Sequence, residues 1–276
     1  MENDIDKILS LLREFGHIDF KDYRREMLLR RVQSRVNANE LNDFHEYADM
    51  LEKDPDEYNK LINTIAINVS SFFRDPYVFE IIVNRVLPEI LELKKKQGSR
   101  EIRIWSAGCA AGEEPYSIAM QVHDLLLQEE YADWNAYIFA TDIDKKVIAD
   151  ALKAEYKKES LENVKLGDFE RFFVQHHDKY KLSNDITNMV NFSYHDLSDK
   201  KSITPTVSIF GSFDLVLCRN VVIYFNRELQ KKVFELIYRS IGKGGFLVLG
   251  ESESLDNETA PKFITNDNHI NIYEKL

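Results

Sequence analysis

Cysteine is nearly missing from this chain: Cys109 and Cys218 are the only two in 276 residues, far apart and without a CxxC partner. That excludes a disulfide framework and a thiolate zinc site, and it points to a reducing cytoplasm. The seven histidines show no ligand spacing, so no metal centre is expected. No apolar run approaches the ~20 residues that span a bilayer, which excludes membrane insertion. The opening MENDIDKILS is acidic and lacks the basic, apolar, small-residue order of a secretory signal. Ten glycines and six prolines are too few for a low-complexity chain. What is present is core material: 44% hydrophobic residues, with 17 Phe and 13 Tyr. The length suits one large domain, or a small domain followed by a medium one.

The net charge of −11 argues against a nucleic-acid partner, but it is unevenly spread. Lys21 to Val36, KDYRREMLLRRVQSRV, holds six basic residues against two acidic ones, a local +4 that leaves −15 on the rest. At 100° per residue Arg24, Arg31 and Arg35 share a narrow sector, beside an apolar stripe of Leu28, Val32 and Val36. Such a face serves either as a docking surface for an acidic partner or as the solvated side of an ordinary amphipathic helix.

Residues 1 to about 75 read as helices only, with apolar positions three and four apart and a break at Pro55. Residues 76–98 read as a connecting helix led by Pro76, then the linker KKKQGSR. From 99 to 276 strands and helices alternate: EIRIWSA, EEPYSIAMQVHDLLLQ, NAYIFATDI, KKVIADALKAEY, FDLVLCRNV, RELQKKVFELIYRSI, GGFLVLGES. That alternation predicts a doubly wound, parallel α/β sheet. Residues 169–195 break the rhythm and read as a small antiparallel insertion, with His176 and His177 on its surface.

The stretch IRIWSAGCAAGEEPYSIAM (102–120) carries the chemistry. In a doubly wound sheet the ligand sits at the carboxyl ends of the strands, where a small-residue loop enters a helix. Here the loop reads Gly108, Ala110, Gly112, a G-x-A-x-G spacing, and the next two residues are Glu113 and Glu114. Carboxylates suit a helix N-terminus but repel phosphate. A ligand with adenosine-like bulk and a cationic part, such as S-adenosylmethionine, fits. Taken alone the two glutamates are also ordinary first-turn residues. Asp142, at the end of FATDID, stands where an acid meets ribose hydroxyls, although it could equally cap the next helix.

Four motifs in order, NVSSFFRDP (68–76), WSAGCAAGEEPYS (105–117), ATDID (140–144) and CRNVVIYF (218–225), resemble those of the CheR family of chemotaxis-receptor glutamate O-methyltransferases. The resemblance implies a Rossmann-like, S-adenosylmethionine-dependent methyltransferase sheet with a small antiparallel β insertion, preceded by an all-α N-terminal domain. It implies that Asn68, Ser70, Arg74, Glu114 (with Glu113 the weaker choice), Asp142, Asp196, Leu197, Arg219 and Asn220 line the cofactor pocket. Asp196 departs from the family's frequent asparagine there. Arg74 and Tyr224 are implied to act at the transferred methyl, and Phe72 and Phe73 to be core or pocket wall. Arg24, Arg31 and Arg35 are implied to face the cytoplasmic helical bundle of a chemoreceptor, the enzyme acting as a cytoplasmic monomer and releasing S-adenosylhomocysteine.

Some family members dock the insertion on a receptor-tail peptide through a glycine-rich turn. This chain has no glycine between Gly167 and Gly211, so no tether is expected. Competing readings are a regulatory module that binds the cofactor without turnover, or a methyltransferase acting on another protein or a small molecule. Against base methylation, the strand before Arg219 ends in CRNVVIYF and not in an N-P-P-Y-type loop.

Overall fold

The computed structural model describes residues 2–16, 19–66, 70–199, 211–265 and 270–276. The chain divides into two compact units, 1–68 with 223–232, and 69–222 with 233–276.

The first unit holds α1 (Glu2–Gly16), α2 (Arg25–Ala38), α3 (Phe44–Leu51) and α4 (Pro55–Ala66). The spacing read from sequence becomes its core: Ile5, Ile8, Leu12, Leu28, Val32 and Val36 are all buried, as are Tyr47, Leu51, Leu61 and Ile65. Asp43 caps α3 by accepting from the Glu46 amide, while the Glu46 carboxylate accepts from the Asn42 amide just before the cap. The segment 223–232 adds an edge, since the Arg24 amide donates to Tyr224 O and the Asn226 amide to Asp22 O. Phe20, Tyr23 and Phe225 pack there edge to face.

Arg35 requires a correction. Its guanidinium makes a two-pronged bond to Glu57, Nε to Oε1 at 2.8 Å and Nη2 to Oε2 at 2.7 Å. Asn39 and the Tyr47 hydroxyl bond the same carboxylate, which is fully buried. A helical wheel places Arg35 beside Arg24 and Arg31 but cannot know that α4 brings an anion to it. Arg35 thus ties α2 to α4 and is not a free docking cation. Arg24 is exposed and Arg31 half-buried.

The second unit begins with a helical run, α5 (Pro76–Ile81), a π-helical stretch Ile82–Val86 and α6 (Leu87–Lys96). Then follow β1 (Glu101–Ala107), α7 (Glu113–Leu126), β2 (Asn135–Asp142), α8 (Lys145–Lys153), β3 (Glu155–Tyr156), α9 (Leu166–Phe172), β4 (Phe173–His176), β5 (Lys179–Leu182), α10 (Asn184–Thr187), β6 (Val190–Tyr194) and β7 (Phe213–Cys218). The chain closes with α11 (Arg227–Ser240), β8 (Ile241–Leu249), β9 (Phe263–Ile264) and β10 (Ile272–Lys275). The main sheet runs β6-β2-β1-β7-β8-β10-β9, with β10 antiparallel to both neighbours and the remaining pairs parallel. The central strands are buried on both faces, as a parallel sheet covered by helices requires; all six residues of β7 are buried. The strand order turns between β1 and β7, which makes their carboxyl ends the expected ligand site.

The insertion differs from the expected 169–195. The small sheet is β3-β5-β4, so its third strand, 155–156, comes from before that range. Residues 190–194 instead pair in parallel with β2 at the edge of the main sheet. Strand pairing, not composition, decides which sheet a short run joins. At the β4–β5 turn His177 takes φ 56°, the position a glycine favours. His176 is exposed, with Nδ1 3.0 Å from the Glu155 carboxylate.

Candidate functional site

Loop 108–112 leaves the end of β1 bent by three left-handed residues, Gly108, Ala110 and Gly112. The amides of Gly108 and Cys109 both donate to Thr141 O at the end of β2. Gly108 has no room for a side chain, because a Cβ there would lie 2.4 Å from Val221 Cγ2. Asp142 organises the same corner: Oδ2 accepts from the Ala110 amide and Oδ1 from the Asp144 amide, both at 2.9 Å. The helix cap of α8 is not Asp142 but Asp144, which accepts from the Lys146 amide. Asp142 is therefore free of that duty and points into the loop with only 8% exposure. Burial is the main force raising its carboxyl above the ordinary range.

Glu114 faces the ends of β1 and β7. Its Oε1 accepts from Ser106 Oγ at 2.7 Å and its Oε2 pairs with Arg219 at 3.3 Å. Burial raises its pKa even against the pull of Arg219. Glu113 lies beside it in the first turn of α7, 5% exposed, with Oε2 unpartnered among the described residues. Burial pushes Glu113 up to about 7. Arg219, at the end of β7, also donates to Arg74 O at 2.9 Å and to Asp75 Oδ2 at 2.6 Å, and lies over the Phe79 ring. Arg74 is flanked by Phe73 at φ 49° and Asp75 at φ 59°, two non-glycine residues in strained backbone. Phe73 is anchored by its amide to Ser117 Oγ, which donates to Glu113 O. Phe72 is fully buried against Tyr156 and Phe173, a core role.

The second unit thus gathers Arg74, Glu114, Asp142, Arg219 and Asn220 at one end of the sheet. His195 joins through its amide, which donates to Asp142 O. Next to it, Asp196 folds on itself, accepting from Ser198 N and Oγ at 2.7 Å, while Leu197 is half-buried. Ser70 is half-buried at the start of the Arg74 segment. Asn68 lies outside the described residues. Tyr224 ends a short turn, Val222–Tyr224, and groups with the helical unit. Sequence reading missed Glu253: its carboxylate accepts from the amides of Asn220, Val221 and Gly250. The only local trace of it is Gly250, whose missing side chain leaves room for the Glu253 carboxylate.

The donor set fits S-adenosylmethionine. A glycine cradle admits a flat nucleoside. Asp142 keeps lone pairs for hydroxyls, and burial raises both first-turn glutamates even though Arg219 pairs with Glu114. Among the described residues no cluster of three or more His, Cys, Asp or Glu could hold a metal, and no helix is long and apolar enough to cross a membrane.

Comparison with known proteins agrees. Residues 3–66 match the all-alpha domain of CheR methyltransferases, and residues 68–270 match their SAM binding domain. A chemotaxis protein methyltransferase of Salmonella typhimurium is 30% identical, covering 91% of this chain and 83% of that one. One of Listeria monocytogenes is 31% identical, covering 89% and 87%. A 104.1 kDa uncharacterized protein of Rhodobacter capsulatus is 31% identical over 90% of this chain, which spans only 25% of it. With both halves of the family present in order, and an acidic, glycine-lined cofactor site at the turn of the sheet, the chain belongs to the CheR family of S-adenosylmethionine-dependent methyltransferases.

Proposed function

We propose that this enzyme methylates glutamate side chains on the cytoplasmic helices of chemoreceptors, forming methyl esters for sensory adaptation. The observation that carries this reading is the match, over nearly the whole of both chains, to proteins named chemotaxis protein methyltransferases. S-Adenosylmethionine supplies an electrophilic methyl on a sulfonium and departs as the thioether S-adenosylhomocysteine. The acceptor glutamate, with an ordinary pKa of about 4.3, is already an anion at neutral pH and needs no general base. The work left to the protein is alignment and exclusion of water, for which orientation can supply on the order of 7–11 kcal/mol.

In this reading Asp142 holds the ribose hydroxyls and Glu114 the ammonium of the methionine end. Asn68, Ser70, Asp196, Leu197 and Asn220 complete the pocket, and Arg219 fixes Glu114. Arg74 and Tyr224 position the reacting carboxylate and methyl. Arg24 and Arg31 meet the acidic receptor bundle, and the enzyme works as a cytoplasmic monomer. The β4–β5 hairpin, turning on His177, is not used as a tether. Incubation with labelled S-adenosylmethionine and receptor fragments tests the reading. Base-labile methyl on glutamate supports it, and base-stable label or none refutes it. Running the same assay with and without the receptor's C-terminal tail tests the tether: a large loss on tail removal would show that the hairpin is used after all.

A further inference from the structure

The turn after β7 is held from outside the site. Arg219 is followed by Asn220 at φ 60°, a conformation that L residues disfavour and asparagine tolerates best. Turning the chain this way aims the amides of Asn220 and Val221 inward, where unpaired donors would be costly. Glu253, 4% exposed, meets both: Oε2 accepts from the Asn220 amide and Oε1 from the Val221 amide, each at 2.8 Å. Oε2 also takes the Gly250 amide at 2.7 Å. The fit depends on Gly250, where a Cβ would sit 2.8 Å from Glu253 Oε2 and 2.9 Å from Asn220 N. Three amides on one buried carboxylate make charge-assisted bonds, stronger than neutral ones.

The turn has two further attachments. Arg219 Nη1 reaches Glu114, and Nη2 reaches Arg74 O and Asp75. The Val221 side chain fills the space over Gly108. A shift of this turn therefore moves both the partner of Glu114 and the wall of the cofactor loop.

We propose that Glu253 is a positioning residue for methyl transfer, a buried anion that locks the 219–221 turn so that Arg219, Asn220 and the Gly108 loop are set for the cofactor. This rests on the assignment of that turn to the cofactor site. Glu253 also adds a negative charge near Glu114, one of the forces that raise its pKa.

The test uses the full chain, Glu253→Ala, Glu253→Gln and Asn220→Ala, with S-adenosylhomocysteine as the probe in calorimetry. Glu253→Ala is expected to weaken binding by about tenfold or more. Glu253→Gln should fall between it and wild type, because its one carbonyl oxygen can still take the Asn220 and Gly250 amides while its NH2 opposes that of Val221. Amide hydrogen exchange supplies a readout that general destabilisation would not single out, and it is measurable in Glu253→Gln should the alanine variant fail to fold. Protection should drop at Val221 in Glu253→Gln, and at Asn220, Val221 and Gly250 in Glu253→Ala, with the strands unchanged. Affinity within about twofold of wild type in both Glu253 variants, with Asn220→Ala weakened, overturns the proposal alone. If Asn220→Ala also binds normally, the turn does not belong to the cofactor site and the proposal falls with that assignment.

Discussion

Glu57 of the helical unit and the acids around the cofactor loop of the methyltransferase unit are treated in opposite ways. In the helical unit Glu57 is fully buried and fully answered, by Arg35 through two bonds, by Tyr47 and by Asn39. Burial by itself would raise its pKa, but these partners outweigh it and hold the group below its ordinary value. Around the cofactor loop of the methyltransferase unit, buried Glu113 and Asp142 and half-buried Glu114 have fewer donors, and all three are raised. A buried anion with all its partners is a structural tie. A set of buried anions short of positive charge is a place prepared for a cation.

The largest effect should come from breaking the tie. Arg35→Ala leaves Glu57 buried without its counterion and should cost about 3–5 kcal/mol, read by urea unfolding. A loss below about 1 kcal/mol, as for an exposed pair, would erase the contrast between the units.

Next is the opposite change. The Glu113 pKa is raised in the fold, from 4.5 to about 7, so the folded state binds the proton more tightly and the group lowers stability as pH rises through that window. Glu113→Gln should therefore stabilise the protein above pH 7 by on the order of 3 kcal/mol, with the gain vanishing below about pH 4.5. A stability difference that does not change with pH would mean that Glu113 is not held neutral by burial.

Smaller again is the cofactor contact. Asp142→Ala should weaken S-adenosylhomocysteine binding by about 1–3 kcal/mol in calorimetry, the cost of unpairing buried hydroxyls. In the wild-type protein, S-adenosylmethionine affinity should decline as pH falls through the raised pKa of Glu114, because a protonated acid no longer attracts the ammonium. Affinity that is flat with pH would take Glu114 out of the cofactor's contacts.

The smallest effect belongs to exposed Arg24 and half-buried Arg31. Arg24→Ala and Arg31→Ala should each weaken receptor methylation by about 0.2–1 kcal/mol and more at low salt, with cofactor affinity untouched. Arg35→Ala should not behave as a third member of that series, because its loss appears in stability.

Much of the site could be read early, because its chemistry is local in sequence. The glycine spacing at 108–112 and the acid at the end of β2 follow from what a strand-to-helix loop must do. The residues that orient them could not be read, since they arrive from distant strands. Glu253 is more than thirty positions from the Asn220 and Val221 amides it holds, and Ser106 and Arg219 reach Glu114 from separate strands. The choice between Asp142 and Asp144 as helix cap shows the same limit at close range, for both lie in ATDID and only the backbone path decides which one turns to α8.

The sequence by itself determined the two-part architecture, the parallel sheet and the class of ligand, because periodicity, small-residue loops and charge are properties of short stretches. Only the tertiary structure decided that Arg35 is a tie while Arg24 stays exposed, that 190–194 joins the main sheet, and that Glu253 stands behind the turn after β7. Those outcomes depend on which distant groups meet, and pairing between distant groups leaves no mark in a local pattern.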